Sequence, residues 1–173
     1  VSPLRRDREF RWLFVRQLIS NMGRQVTLVA LPYQVFVLTG SALAIGGLSA
    51  ATLAGLLLFS LPGGAVAGAY ERRRLLLITA VGLGGTSLAL GLLALLAAPP
   101  LALIYLIAFV AAGISTIDGP ARRAAMPRLV APERLPAAYV LNQSNMQASS
   151  VVGPAIGGLL IALIGLPAAY LFD

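Results

Sequence analysis

The chain has 173 residues, of which 58% are hydrophobic and 11% are charged, and its mean hydropathy is +0.88. Soluble domains carry roughly 25% charged residues, so this composition excludes an ordinary soluble domain and predicts membrane spans of about 20 residues each. The net charge of +7 comes from arginine alone. Because the arginines cluster beside apolar stretches, they indicate a lipid bilayer as partner and no nucleic acid.

Five apolar stretches follow one another with short connections, and a sixth begins near the end of the chain. They cover approximately residues 12–38, 43–69, 75–97, 101–117 and 139–166, and the sixth begins at 168. A helix satisfies all its backbone hydrogen bonds internally, as lipid requires. We therefore expect an all-α integral membrane bundle over residues 1–173, with five transmembrane helices and the start of a sixth.

The arginines lie in alternate connections, which predicts the orientation of the chain. They precede or enter the first span, separate spans two and three at 72–74, and separate spans four and five at 122, 123, 128 and 134. The turns after spans one, three and five carry no charge. Since positive residues stay on the cytoplasmic side, the N-terminus is expected to be cytoplasmic.

The chain contains neither cysteine nor histidine, which removes thiolate metal ligands and the commonest general base. It also shows no paired acids, nucleophile elbow or phosphate loop. We therefore expect no enzymatic activity, no cofactor and no metal site.

Polar residues inside the first span are candidates for a substrate cavity, because each costs free energy unless it faces protein or water. Gln17, Asn21 and Arg24 share one helical face, and Gln25 lies next to it. The guanidinium of Arg24 needs a cavity, an anion or a carboxylate from another helix. A structural pair with the absent part of the protein, or snorkelling to the cytoplasmic surface, is the alternative.

The fifth span also begins with a polar face. Asn142, Asn145 and Ser149 share one side, where they predict either a wet cavity wall or hydrogen bonds between helices. Asp118 follows the fourth span, and we expect it at the membrane surface, paired with Arg122 or Arg123.

Three segments resemble the N-terminal half of major facilitator superfamily transporters, in the bacterial drug and siderophore exporter branch that includes enterobactin and macrolide exporters. They are LPGGAVAGAYERRRLLL (61–77), GPARRAAMPRLV (119–130) with residues 135–142, and VVGPAIGGLL (151–160). The resemblance implies two six-helix halves around a central cavity. The chain is then an N-terminal half whose partner is the missing C-terminal half of the same protein, not expected to transport alone.

The first segment resembles the family's gate loop between helices two and three, with Gly64, Glu71, Arg72, Arg73 and Arg74. The family usually has Asp-Arg where this chain has Gly68-Ala69. A role for the arginines as a topology anchor alone is the alternative.

The third segment resembles the exporter motif GPxxGG, with Gly153, Pro154, Gly157 and Gly158. Ordinary close packing of helices through small residues is the alternative explanation.

The resemblance implies a secondary active transporter in the bacterial inner membrane that exports small amphipathic molecules, drugs or siderophores, by alternating access, as a multidrug or siderophore antiporter. Two alternatives remain: a non-transporting membrane scaffold, or a half-size transporter that dimerises.

Overall fold

The structure, a computed structural model, describes residues 8–69, 71–96, 98–129 and 135–172, and the side chains of 8–17, 64–69, 72–73 and 121–129 are not described. Within these ranges the chain forms five long helices and a short sixth. They are α1 (Arg8–Thr39), α2 (Ala42–Ala69), α3 (Arg72–Ala94), α4 (Leu101–Leu129), α5 (Leu135–Leu163) and α6 (Leu166–Leu171). The all-helical fold expected from the hydropathy pattern is therefore confirmed.

Two glycines with positive φ separate helices at tight turns. Gly40 (φ 60°) ends α1, and its amide donates to the carbonyl of Phe36 at 2.7 Å. Gly165 (φ 103°) separates α5 from α6. A residue with a side chain is strained in this backbone region, so glycine permits both direct reversals of the chain.

The helices pack in a pattern with internal symmetry. The most extensive contacts join α2 to α4 and α1 to α5, followed by α3 with α4, then α3 and α1 with α6. If α1 is exchanged with α4, α2 with α5 and α3 with α6, the same set of contacting pairs results. The six helices therefore form two similar units of three.

Small residues allow α2 and α4 to approach closely. A side-chain carbon at Gly55 would collide with the backbone carbonyl of Phe109, and one at Gly113 would lie 2.7 Å from the ring of Phe59. The rings of Phe59 and Phe109 meet edge to face, with centroids 5.8 Å apart. Glycine and aromatic residues thus interlock across this interface.

The apolar surface of the bundle faces outward. Leu43, Leu61 and Val81 are each at least 75% exposed, whereas the buried core includes Val26, Leu90 and other mostly small or aliphatic residues. In water such a surface would drive aggregation, but in lipid it is the favourable arrangement. By length and mean hydropathy, α2 to α5 each contain a segment able to cross a membrane.

The helices extend beyond some of the apolar stretches. α4 continues past Asp118 to Leu129, and α5 begins at Leu135, so most of the connection expected after residue 117 is helical. Charged and polar residues do not end a helix where its backbone hydrogen bonds can continue. Hydropathy reports only the segment that lipid covers.

Substitution of Gly55 by alanine should destabilise the full-length protein by about 1–3 kcal/mol, because the added carbon meets backbone that cannot move aside. Gly46 lies in the same helix with nothing within 4 Å of the corresponding position. Gly46→Ala is therefore the matched control, and its melting temperature in detergent should equal or exceed that of the wild type. Equal melting temperatures for the two variants would contradict the close contact between α2 and α4.

Candidate functional site

An ion pair joins α1 to α4. Nη2 of Arg24 on α1 donates to Oδ2 of Asp118 on α4 at 2.6 Å. The hydroxyl of Thr79 on α3 lies 3.0 Å from Oδ1 of the same carboxylate. Both oxygens of Asp118 are thus bonded, and three helices meet at one acidic group.

The two partners differ in burial. The side chain of Asp118 is 0% exposed, whereas that of Arg24 is 36% exposed. A buried carboxylate is tolerated only where a cation and hydrogen-bond donors compensate for its lost hydration. Arg24 and Thr79 supply that compensation.

Asp118 lies inside α4, near the end of the segment Leu101–Pro120 that is apolar enough to span the membrane, and its side chain is buried in the protein. Its depth relative to the membrane surface stays a prediction. The side chains of Arg122 and Arg123 lie outside the described residues. The partner observed for Asp118 is Arg24. For Arg24, a carboxylate from another helix was one of the options that the sequence left open.

A cavity of about 490 Å³ opens beside this pair, between α1, α2, α3 and α4. Its α1 wall is formed by Ser20, Arg24, Thr27, Leu28 and Leu31. The other walls carry Thr52, Leu56, Ala80, Leu83, Gly84, Thr86, Ser87, Leu90, Ala108, Ala111, Ala112 and Ser115. Small-molecule sites have this character: mostly apolar, roughly 300–1,000 Å³ in volume, with a few polar groups.

A neighbouring face of α1 packs against α5. Nδ2 of Asn21 donates to Oδ1 of Asn145 at 3.4 Å, and Oγ of Ser149 donates to the same oxygen at 3.2 Å. Asn145 and Ser149 are buried. Among the described residues, Nδ2 of Asn145 has no hydrogen-bond partner. These amides thus form hydrogen bonds between helices, one of the two arrangements that the sequence allowed.

The same interface explains two glycines of the GPxxGG motif. A side-chain carbon at Gly153 would collide with Gln25, and one at Gly157 would lie 3.2 Å from the backbone of Val26. Nothing lies within 4 Å of the corresponding position at Gly158. Gly153 and Gly157 therefore permit the contact between α1 and α5, and Pro154 lies between them inside the helix.

The remaining candidate residues lie away from the cavity wall or outside the described side chains. Glu71 and Arg74 are exposed at the start of α3. Asn142 is half-buried on α5 and already has an interaction partner. The side chains of Gln17, Gly64, Arg72 and Arg73 are not described. The roles assigned to these residues stay predictions.

Of the seven residues that sequence reasoning placed in a substrate cavity, the structure brings Arg24 to the cavity wall. Asp118, Thr79 and the serines and threonines of the wall were missed. Asp118 could have been found as the one acid of the described residues that falls inside a candidate membrane span. The hydroxyl residues carry no such signal, because serine and threonine in spans often bond to their own helix, as Thr52 does here at 2.9 Å.

The long apolar helices define a multi-helix membrane protein with an internal cavity, and comparison with known proteins identifies its family. Residues 1–173 match the major facilitator superfamily family described as transmembrane secretion effector. The chain belongs to this family, which confirms the resemblance seen in its sequence.

The chain is also similar to the enterobactin exporter EntS of several enterobacteria. It is 34% identical over 166 residues to that of Shigella boydii serotype 18, and 33% identical to that of Escherichia coli O127:H6. The matches cover 95% of this chain and 40% of each relative, so the chain spans less than half of their length. No solved structure matches the chain significantly.

These relationships place the chain in a family of multi-pass membrane transporters rather than enzymes.

Substitution of Arg24 by glutamine should destabilise the full-length protein by about 3 kcal/mol, because it leaves a buried carboxylate without its cation. The double variant Arg24→Gln/Asp118→Asn should recover most of that loss, since it contains no uncompensated charge. Thermal unfolding in detergent of the two single variants and the double variant measures the coupling. If the double variant loses the sum of the two single effects, the residues do not act as a pair.

Proposed function

We propose that the chain is the cargo-binding N-terminal half of an exporter in the bacterial inner membrane, moving small amphipathic molecules such as drugs or siderophores. The observation that carries this proposal is the cavity of about 490 Å³ with Arg24 on its wall, inside a bundle of the secretion effector family. The enterobactin exporters among its relatives support export as the direction of transport.

The cavity suits an amphipathic cargo. Leucine and alanine side chains form most of its wall, while hydroxyl groups and one guanidinium provide local polarity. An apolar molecule with a polar group satisfies both kinds of surface, whereas a small hydrophilic solute leaves the leucines uncovered. Transport then proceeds by alternating access, in which this bundle and a second half rock about the cargo.

Cells that express the full-length protein should export enterobactin when their own exporter gene is deleted, as measured by catecholate in the medium. Ala111→Phe should reduce secretion to near the level of cells without the protein, because Ala111 lines the cavity on α4. Ala102→Phe is the matched control, since Ala102 lies on the same helix, is exposed and is absent from the cavity wall. It should leave secretion unchanged.

A second arm with the fluorescent drug Hoechst 33342 tests whether the cargo is of another class. Efflux of neither compound by a protein that is folded and inserted would contradict the proposal and favour a membrane scaffold.

We further propose that the N-terminus is cytoplasmic, so that the turn at Gly40–Ser41 faces outward and Glu71 faces inward. In a cysteine-free background, Ser41→Cys should react with a membrane-impermeant maleimide in intact cells. Glu71→Cys should react only after permeabilisation. The reverse pattern would overturn this orientation.

A further inference from the structure

We propose that Arg24 binds the acidic group of the cargo, so that the cavity prefers amphipathic organic anions with one acidic group on an apolar body. The inference rests on the proposed function, because it takes the cavity beside Arg24 to be the site of the cargo. It goes further in assigning the charge of the cargo and the residue that recognises it.

The geometry leaves Arg24 able to bind a ligand. A guanidinium has five N–H donors in a planar fork, and the hydrogen bond of this side chain runs from Nη2 to Asp118. Because the side chain is 36% exposed and lies on the cavity wall, donors remain available on its cavity side. Guanidinium groups bind carboxylates and similar anions through two parallel hydrogen bonds.

The surroundings of Arg24 favour an anion over a cation. Among the described residues, those that line the cavity include one cation and no acid. Asp118 is fully buried behind the guanidinium and does not line the cavity. An anionic ligand therefore meets Arg24 directly, with Ser20 and Thr27 one turn away on the same wall.

Asp118 has a positioning role in this arrangement. Its carboxylate is fixed by Thr79 and holds the guanidinium at 2.6 Å. Its charge also offsets much of the field of Arg24, so that the site attracts an anion without retaining it strongly. A transporter needs both properties, since a cargo held too tightly is not released.

The test uses two fluorescent probes that differ only in charge. 1-Anilinonaphthalene-8-sulfonate carries a sulfonate, and N-phenyl-1-naphthylamine has the same aromatic body without it. Binding is measured by titration of the full-length protein in nanodiscs of phosphatidylcholine. This zwitterionic lipid introduces no anionic headgroup that could compete for Arg24.

The substitutions should change the binding affinities of the two probes differently. Asp118→Asn should bind the sulfonate probe about tenfold more tightly, because the competing negative charge is removed. Arg24→Gln/Asp118→Asn should bind it about tenfold more weakly than the wild type, and Arg24→Lys should lie between. The neutral probe should bind all four proteins within about twofold, which also shows that the cavity is intact.

Equal changes for both probes would overturn the proposal, because they would show that Arg24 only maintains the shape of the cavity. Unchanged binding of the sulfonate probe in the double variant would overturn it as well. If anionic phosphatidylglycerol displaces the sulfonate probe from the wild type and organic carboxylates do not, the site belongs to a lipid headgroup, and the assignment to the cargo fails. Enterobactin secretion that persists alongside any of these results would leave the proposed export function standing.

Discussion

The arrangement of the bundle depends on one ion pair in an apolar environment. α1 packs mainly against α5 and α6, and α4 packs mainly against α2 and α3, so the two helices belong to different groups of contacts. Together with the packing of α3 on α6, Arg24 and Asp118 join these groups, and Thr79 adds α3 to the junction. Removing one partner leaves a charge that lipid and protein cannot solvate. The pair therefore specifies how the helices are placed as well as stabilising them.

Helix α1 has two polar faces, and the ion pair lies on one of them. One face carries Asn21 and Gln25 against α5, where small residues and amides allow close packing. The other carries Ser20, Arg24 and Thr27 toward the cavity. A helical period places these residues on neighbouring faces but does not state which face packs and which is open. That depends on the positions of α4 and α5, which no local pattern contains.

The two faces of α1 illustrate which features the sequence could predict and which it could not. The helical class, the family and the presence of a cation in need of a partner follow from hydropathy, from glycine and proline patterns, and from Arg24 itself. The partner at Asp118 lies 94 residues away along the chain. Likewise, the hydroxyl of Tyr170 donates to Oε1 of Gln34 at 2.6 Å, across 136 residues. Such pairings depend on tertiary packing, and a tyrosine or glutamine in a span gives no sign of its partner.

Several polar contacts between helices of the described part of the chain are buried or half-buried, and this bears on the proposed transport. Asp118 on α4 accepts hydrogen bonds from side chains of α1 and α3, and Tyr170 on α6 donates one to a side chain of α1. The hydroxyl of Tyr105 on α4 donates to the carbonyl of Ala44 on α2 at 2.6 Å. These bonds lie at different depths, so they oppose sliding as well as separation of the helices. In the alternating access that we propose, a bundle held in this way moves as one body. That proposal requires contacts with a second half to be weaker than those within this one, so that rocking breaks the former and preserves the cavity wall.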